Sequence, residues 1–170
     1  MRRVFAILGL GLALTACAST QKLGAARDVH ALLLSIRDDD AQAFEAHVDR
    51  PALEREIQSR MADELHKSKA DKSVKLLGML LGPTVSQVAG DMLIQPYTFR
   101  MVAEQYGYRA SQPIPSPIYI AQALKPLDEN RVCAVSKKDG PCLLIFSRRP
   151  GDAWRLSGFE GDLSMLKKAF

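Results

Sequence analysis

Apolar residues keep a helical period through the first part of the chain and later shorten into alternating runs, and this change sets the fold class. From Arg27 to Arg37, Val29, Leu32, Leu33 and Ile36 recur at helical spacing and predict a first amphipathic helix. Asp38-Asp39-Asp40 ends it. Asp39 followed by Gln42 has capping-box spacing, and Ala43, Phe44 and Val48 line one side of a short second helix. Pro51 suits the first turn of a third helix, in which Leu53, Ile57, Met61 and Leu65 repeat every four residues. The pairs Glu56/Arg60 and Asp63/Lys67 keep its other side wet. Val74 to Leu81 is apolar nearly all round, Gly82-Pro83 breaks it, and Val85, Val88, Ala89, Met92 and Leu93 continue, as in helices central to a core. Lys75, Ser86, Gln87 and Asp91 argue against a membrane hairpin there. Pro96 opens a further helix carrying Phe99, Val102 and Tyr106, and Gly107 is placed to end it.

Past Gly107 the Pro-rich stretch Gln112 to Pro117 excludes regular helix, and the remainder reads as short strands. These are placed at Ile118 to Leu124, Arg131 to Ser136, Cys142 to Ser147 and Ala153 to Ser157, with Lys138-Asp139-Gly140 and Pro150-Gly151-Asp152 as turns. Asp162 then caps a short C-terminal helix with Leu163, Leu166 and Phe170 on one side. The fold class expected is α+β: N-terminal helices packed on a C-terminal antiparallel sheet of about four strands.

The extreme N-terminus has a different pattern. Met1-Arg2-Arg3 is positive, and Val4 to Ala16 is an uncharged, almost wholly apolar run of 13 residues. That is the anatomy of a secretory signal, too short for a permanent span, which needs about 20 residues. The run closes on Leu14-Thr15-Ala16-Cys17, which resembles the lipobox of bacterial lipoproteins. The resemblance implies cleavage before Cys17, a diacylglycerol on its sulfur and usually acylation, such as palmitate, on its amino group. Two or three acyl chains make attachment effectively stable, where a single myristoyl chain is marginal. Ala18 rather than Asp after the cysteine is similar to cargo for the outer membrane of diderm bacteria. The division expected is 1–16 signal peptide, 17–26 lipidated Cys17 and a small polar tether, and 27–170 a single domain.

Charge and length then narrow the partners. The chain from Cys17 holds 154 residues, and loses Arg2 and Arg3, so 21 basic residues face 19 acidic ones. One domain of that size buries roughly 68 to 70% of its unfolded surface. A near-neutral surface with scattered basic pairs, Lys137-Lys138, Arg148-Arg149 and Lys167-Lys168, argues against nucleic acid, which demands clustered cations. The partners expected are the membrane, through acyl chains on Cys17, and an envelope protein or an apolar ligand.

The phrase Asp39-Asp40-Ala41-Gln42-Ala43-Phe44-Glu45-Ala46-His47-Val48-Asp49-Arg50-Pro51-Ala52-Leu53, with Leu93-Ile94-Gln95-Pro96 and Trp154-Arg155-Leu156, resembles the domain-of-unknown-function family 2939 (DUF 2939) over most of the mature chain. The Cys133/Cys142 pair and the lipid anchor depart from its pattern. The resemblance implies an envelope protein with helices before a small sheet, and brings no activity and no catalytic residue.

The residues themselves offer little chemistry. His30, His47 and His66 form no zinc spacing, and there is no Gly-x-Ser-x-Gly elbow, phosphate loop or dinucleotide fingerprint. Neither metal nor cofactor is expected. His47-Val48-Asp49 places an imidazole near a carboxylate, but Asp49 also stands where it can answer the free N–H groups of the helix opened by Pro51, and this structural role is favoured. The acidic triplet reads as a junction because it lacks the spaced oxygens of a calcium loop. Glu160 with Asp162 reads as a solvated turn and cap.

Three functions follow: a non-enzymatic binding or interaction module, a carrier of an apolar ligand between the helices from Val74 to Tyr106 and the sheet, and an envelope hydrolase centred on His47. With Cys17 acylated, Cys133 and Cys142 remain as an even pair in an exported protein, and a disulfide is expected. The alternative is two small buried thiols. A loop at Ser136 to Asp139 sets Val135 opposite Gly140 and Cys133 opposite Cys142. Val132 and Ala134 then share the core face with Leu143, Ile145, Trp154 and Leu156, and the cysteines lie on the other face.

Overall fold

A computed structural model describes residues 2–67, 90–105, 107–137 and 140–160, with only the backbone course at 2–18, 64 and 65. The predicted helix over 74–89, the Lys138-Asp139 turn and the helix after Asp162 lie outside the described residues, as does Tyr106.

Helix α1 (Arg2–Asp38) runs unbroken from the apolar N-terminal run into the domain. Ala18 to Gly24, expected to be a tether, is therefore helical, and Ala25 and Ala26 are fully buried. The packed body thus begins ahead of residue 27. Small side chains at 25 and 26 allow this, since they let neighbouring elements approach the helix closely. Val29, Leu32 and Ile36 continue the same buried face.

The helix stops where Asp39 takes φ 57° and the Asp40 N–H donates to the Ser35 carbonyl at 2.9 Å, a Schellman closure with aspartate in the left-handed position. Asp40, not the predicted Asp39, then caps α2 (Ala41–Ala46), its Oδ1 accepting the Ala43 N–H at 3.0 Å. The cap moves one residue because the left-handed turn consumes Asp39. Asp49 Oδ1 accepts the Ala52 N–H at 3.1 Å and so caps α3 (Arg50–Lys67), whose Leu53 and Ile57 are buried. After a helical turn at 90–93, α4 (Pro96–Gln105) ends on Gly107 at φ 89°, with Gly107 N–H to Glu104 and Tyr108 N–H to Ala103 closing a second Schellman motif.

The first predicted strand is corrected. Residues 118–122 are helical, in α5 (Pro117–Gln122), and the strand begins only at Leu124. Ile118, Tyr119 and Ile120 favour a strand locally. Ser116 in extended backbone with Pro117 at the first helical position starts a helix instead, and packing of α5 on α1 with burial of Ile120 decides the outcome.

Strands β1 (Leu124–Asp128), β2 (Arg131–Val135), β3 (Cys142–Ser147) and β4 (Arg155–Phe159) form an antiparallel meander in chain order. The fold is α+β. In β3 to β4, the Asp152 N–H meets the Arg149 carbonyl at 3.0 Å with Gly151 at φ 87°, a type II turn with Pro150 at its second position.

The register differs from expectation. Val135 faces Cys142, Ala134 faces Leu144 and Cys133 faces Ile145, so Leu143 is an extra bulged residue. The one-residue shift exchanges the faces of β3: Leu144 and Phe146, not Leu143 and Ile145, share a face with Val132, Ala134 and Leu156. Val132, Phe146 and Leu156 are buried there against the helices, and Trp154 belongs to the same core as expected. Cys133 lies on the other face, with Ile145 and Gly158.

Candidate functional site

The end of α1, α2, the first residue of α3 and the start of α4 enclose an open cleft of about 450 Å³, lined by Asp39, Ala41, Glu45, Arg50, Ile94, Gln95, Pro96 and Tyr97. Arg50 builds one wall. Its guanidinium donates to Glu45 from Nε at 3.3 Å and from Nη2, and Nη2 also donates to the Ile94 carbonyl at 2.8 Å. Its Nη1 stands 3.7 Å from Asp91 Oδ1 and is buried without a hydrogen-bond acceptor among the described residues. The hydrogen bond that Arg50 donates to Glu45 raises the Arg50 pKa against partial burial. Arg50 therefore ties α2 and α3 to a segment 44 residues later in the chain.

Arg100 braces two of the lining residues, Asp39 and Tyr97. Its Nη2 is 3.7 Å from Asp39 Oδ2, its Nη1 donates to the Arg37 carbonyl at 3.4 Å, and its guanidinium lies 5.6 Å from the Tyr97 ring centroid. Beside them, Asp38 accepts from Arg37 at 2.7 and 2.9 Å, and this bond holds the Asp38 carboxyl below its ordinary range. The acidic triplet is thus divided among an ion pair, a left-handed helix stop and an N-cap. No group of metal-ligating side chains is assembled among the described residues. Tyr97 is about half exposed, whereas Phe44 on α2 is fully buried, edge-on to Phe99 of α4 at 5.3 Å.

The residues singled out in the sequence fall elsewhere. Cys17 lies in the backbone of α1, about 32 Å along the helix axis from Asp38 at 1.5 Å rise per residue. Cys133 and Cys142 stand at disulfide distance, with Cα atoms 5.5 Å apart, although Leu143 displaces them from direct opposition. His47 and Asp49 are not paired with each other. The Asp49 carboxylate is engaged by Ala52, His47 Nδ1 is buried without a hydrogen-bond partner among the described residues, and Val48 forms a parallel bridge with Leu156. The backbone bonds from Leu156 N–H to His47 and from Asp49 N–H to Leu156, both 2.9 Å, make this segment a short addition to β4. Glu160 lies at the end of β4, and Asp162 is outside the described residues.

Sequence reasoning did not find Arg50 or the cleft. A signal existed: the stretches Asp39 to Leu53 and Leu93 to Pro96 converge on the same cleft. Comparison with known proteins bears on these stretches. No curated protein and no solved structure matches the chain. A family model matches residues 12–102, which contain both cleft-forming stretches, α1 from residue 12 onward, and α2 to α4 up to Val102, while Trp154 to Leu156 and the whole sheet lie beyond the match. By that match the chain belongs to the family described as protein of unknown function, DUF2939.

Proposed function

We propose that the chain is a bacterial envelope lipoprotein, anchored through acyl chains on Cys17 and acting as a non-enzymatic binding module at the periplasmic face of the outer membrane. The observation that carries this reading is the order of its N-terminus: two arginines, 13 uncharged and mainly apolar residues, then Leu14-Thr15-Ala16-Cys17. Among the described residues no helix is long and apolar enough to cross a membrane. A binding role is supported by the cleft, where Arg50 pairs with Glu45 and Asp91, and Asp39 pairs with Arg100, around an exposed Tyr97. Such a cleft suits a polar segment of an envelope protein better than an apolar ligand. Carriage of an apolar ligand rests on the helix over 74–89, outside the described residues. The hydrolase reading lacks its dyad, because Asp49 serves α3.

The test is the precursor Cys17→Ser, expressed beside the parent in a diderm host fed a radiolabelled fatty acid. The parent should incorporate label and fractionate with membranes, while Cys17→Ser should do neither. Equal labelling of both chains would refute the anchor.

A further inference from the structure

The anchor reading, on which this inference rests, acquires a geometry from α1. Cleavage before Cys17 would leave the lipidated residue inside a helix that continues without a break to Asp38. Gln21 is four residues on, about 6 Å along the axis, and its amide donates to the Asp128 carbonyl in the β1–β2 turn at 2.6 Å. Gly24 is about 10 Å on, and a Cβ there would meet Trp154 Nε1 at 3.7 Å. The β3–β4 connection is tied to the same level, because the Arg148 N–H donates to the Asn130 carbonyl at 3.0 Å and the Arg148 guanidinium lies 4.7 Å from the Trp154 ring centroid.

We propose that α1 is a post rather than a leash: it seats the domain directly on the lipid head groups, with the β1–β2 and β3–β4 turns as the base and the Arg50 cleft at the far end. The base carries the chemistry of an interfacial contact. Leu23 and Leu127 are more than a third exposed, and Arg149 is exposed beside them in level. Asp128 is neutralised by Arg131 at 2.6 Å, while Glu129 and Asp152 remain exposed, so the short anchor, and not net charge, holds the base to the bilayer. The helix has no means of lying flat. Past Leu23 its exposed positions are Arg27 and Asp38, both charged, its other positions are buried or half-buried, and β1, α2, α4 and α5 pack against it. Asp38 at the far end of the post is about 32 Å from Cys17, and this sets the cleft clear of the head groups, open to a partner that is not embedded in the same leaflet.

The experiment uses the full lipidated protein in vesicles of phosphatidylethanolamine and phosphatidylglycerol with a head-group energy acceptor. The same small fluorescent amino acid replaces either Glu129, in the base, or Met92, which is 68% exposed near the cleft. Transfer from position 129 should exceed that from position 92 several-fold. An eight-residue Gly-Ser insertion between Ala18 and Ser19 should reduce transfer from position 129 by at least half. Equal transfer from the two positions, greater transfer from position 92, or indifference to the insertion would overturn the post. Flotation of the same vesicles separates the two readings: a protein that floats with equal transfer loses only the orientation, and a protein that does not float loses the anchor and the post together.

Discussion

Arg50→Ala removes the side chain that closes the cleft, and its cost can be worked from the three contacts it makes. The bond to the Ile94 carbonyl is partly buried, and Ile94 itself is 2% exposed, so the truncation leaves a poorly solvated acceptor behind. A hydrogen bond from a charged donor in such a place contributes about 1.5 to 3 kcal/mol. The ion pairs are weaker. The Glu45 side chain is 46% exposed and that of Asp91 is 76% exposed, and pairs in contact with solvent contribute about 0 to 1 kcal/mol each. The sum expected for Arg50→Ala is about 1.5 to 5 kcal/mol, or roughly 3 to 20 °C in melting temperature for a domain of this size. Urea and thermal unfolding of residues 18–170, followed by circular dichroism, measure it. Arg50→Lys should recover less than half of the loss, because an ammonium on a flexible stem cannot serve Glu45 and the Ile94 carbonyl with the fixed fork of a guanidinium. The reasoning fails if Arg50→Ala melts within about 0.5 kcal/mol of the parent or if Arg50→Lys matches it.

Three smaller perturbations test the frame around the cleft. Asp40→Ala removes the cap of α2 and should cost about 1 kcal/mol in urea unfolding, with no measurable change pointing back to Asp39 as the cap. Replacing Cys133 and Cys142 together by Ala opens a loop with a sequence separation of 9 and should cost about 2 to 3 kcal/mol by loop entropy; two readily alkylated thiols in the exported native protein would contradict the bond. The Asp128 carboxyl is held below its ordinary range, first by the Arg131 hydrogen bond and then by the Asn130 N–H. A carboxyl whose folded pKa lies below its unfolded value of about 3.9 stabilises the fold above that value and loses the contribution as the pH falls through the folded pKa. Parent and Asp128→Asn should therefore differ in urea midpoint at pH 6 and converge in acid, and a gap that persists unchanged at low pH would remove Asp128 as its source.

What was legible in the sequence was local. Pro51, Pro96 and Gly107 mark helix limits because each fixes or frees one backbone angle, and the four-residue repeat of Leu53 and Ile57 survives as a buried stripe. The Pro150-Gly151 turn was legible for the same reason. What failed was decided at a distance or by a single inserted residue. Ile118 to Ile120 has strand chemistry, yet the surface of α1 takes it as a helix. Leu143 bulges out of the ladder, and that one residue turns Phe146 instead of Ile145 to the core. The cleft was hidden because Arg50 and Ile94 carry no pattern together until the chain folds, although Asp39 to Leu53 and Leu93 to Pro96 were already the phrases that resembled the family.

The span matched by the family model does not close its own core. Val29, Leu32 and Ile36 on α1, Phe44 and Val48 around α2, and Leu53 and Ile57 on α3 bury their apolar surface in one cluster with Leu124, Val132, Phe146, Trp154 and Leu156, all beyond residue 102. The backbone is joined across the same boundary: the 47–49 segment bonds to Leu156, the Trp154 N–H donates to Asp28 Oδ2 at 2.9 Å, and α3 packs on β4. Exposed edges of a sheet invite pairing with other chains, and β4 receives Val48 as its neighbour at Leu156. The helices that build the cleft therefore depend on a sheet that the family model does not include. The sheet sets the position of α1, α1 sets the position of Asp39, and Arg50 follows from α3 on β4, so the geometry of the cleft is inherited from residues that take no part in lining it.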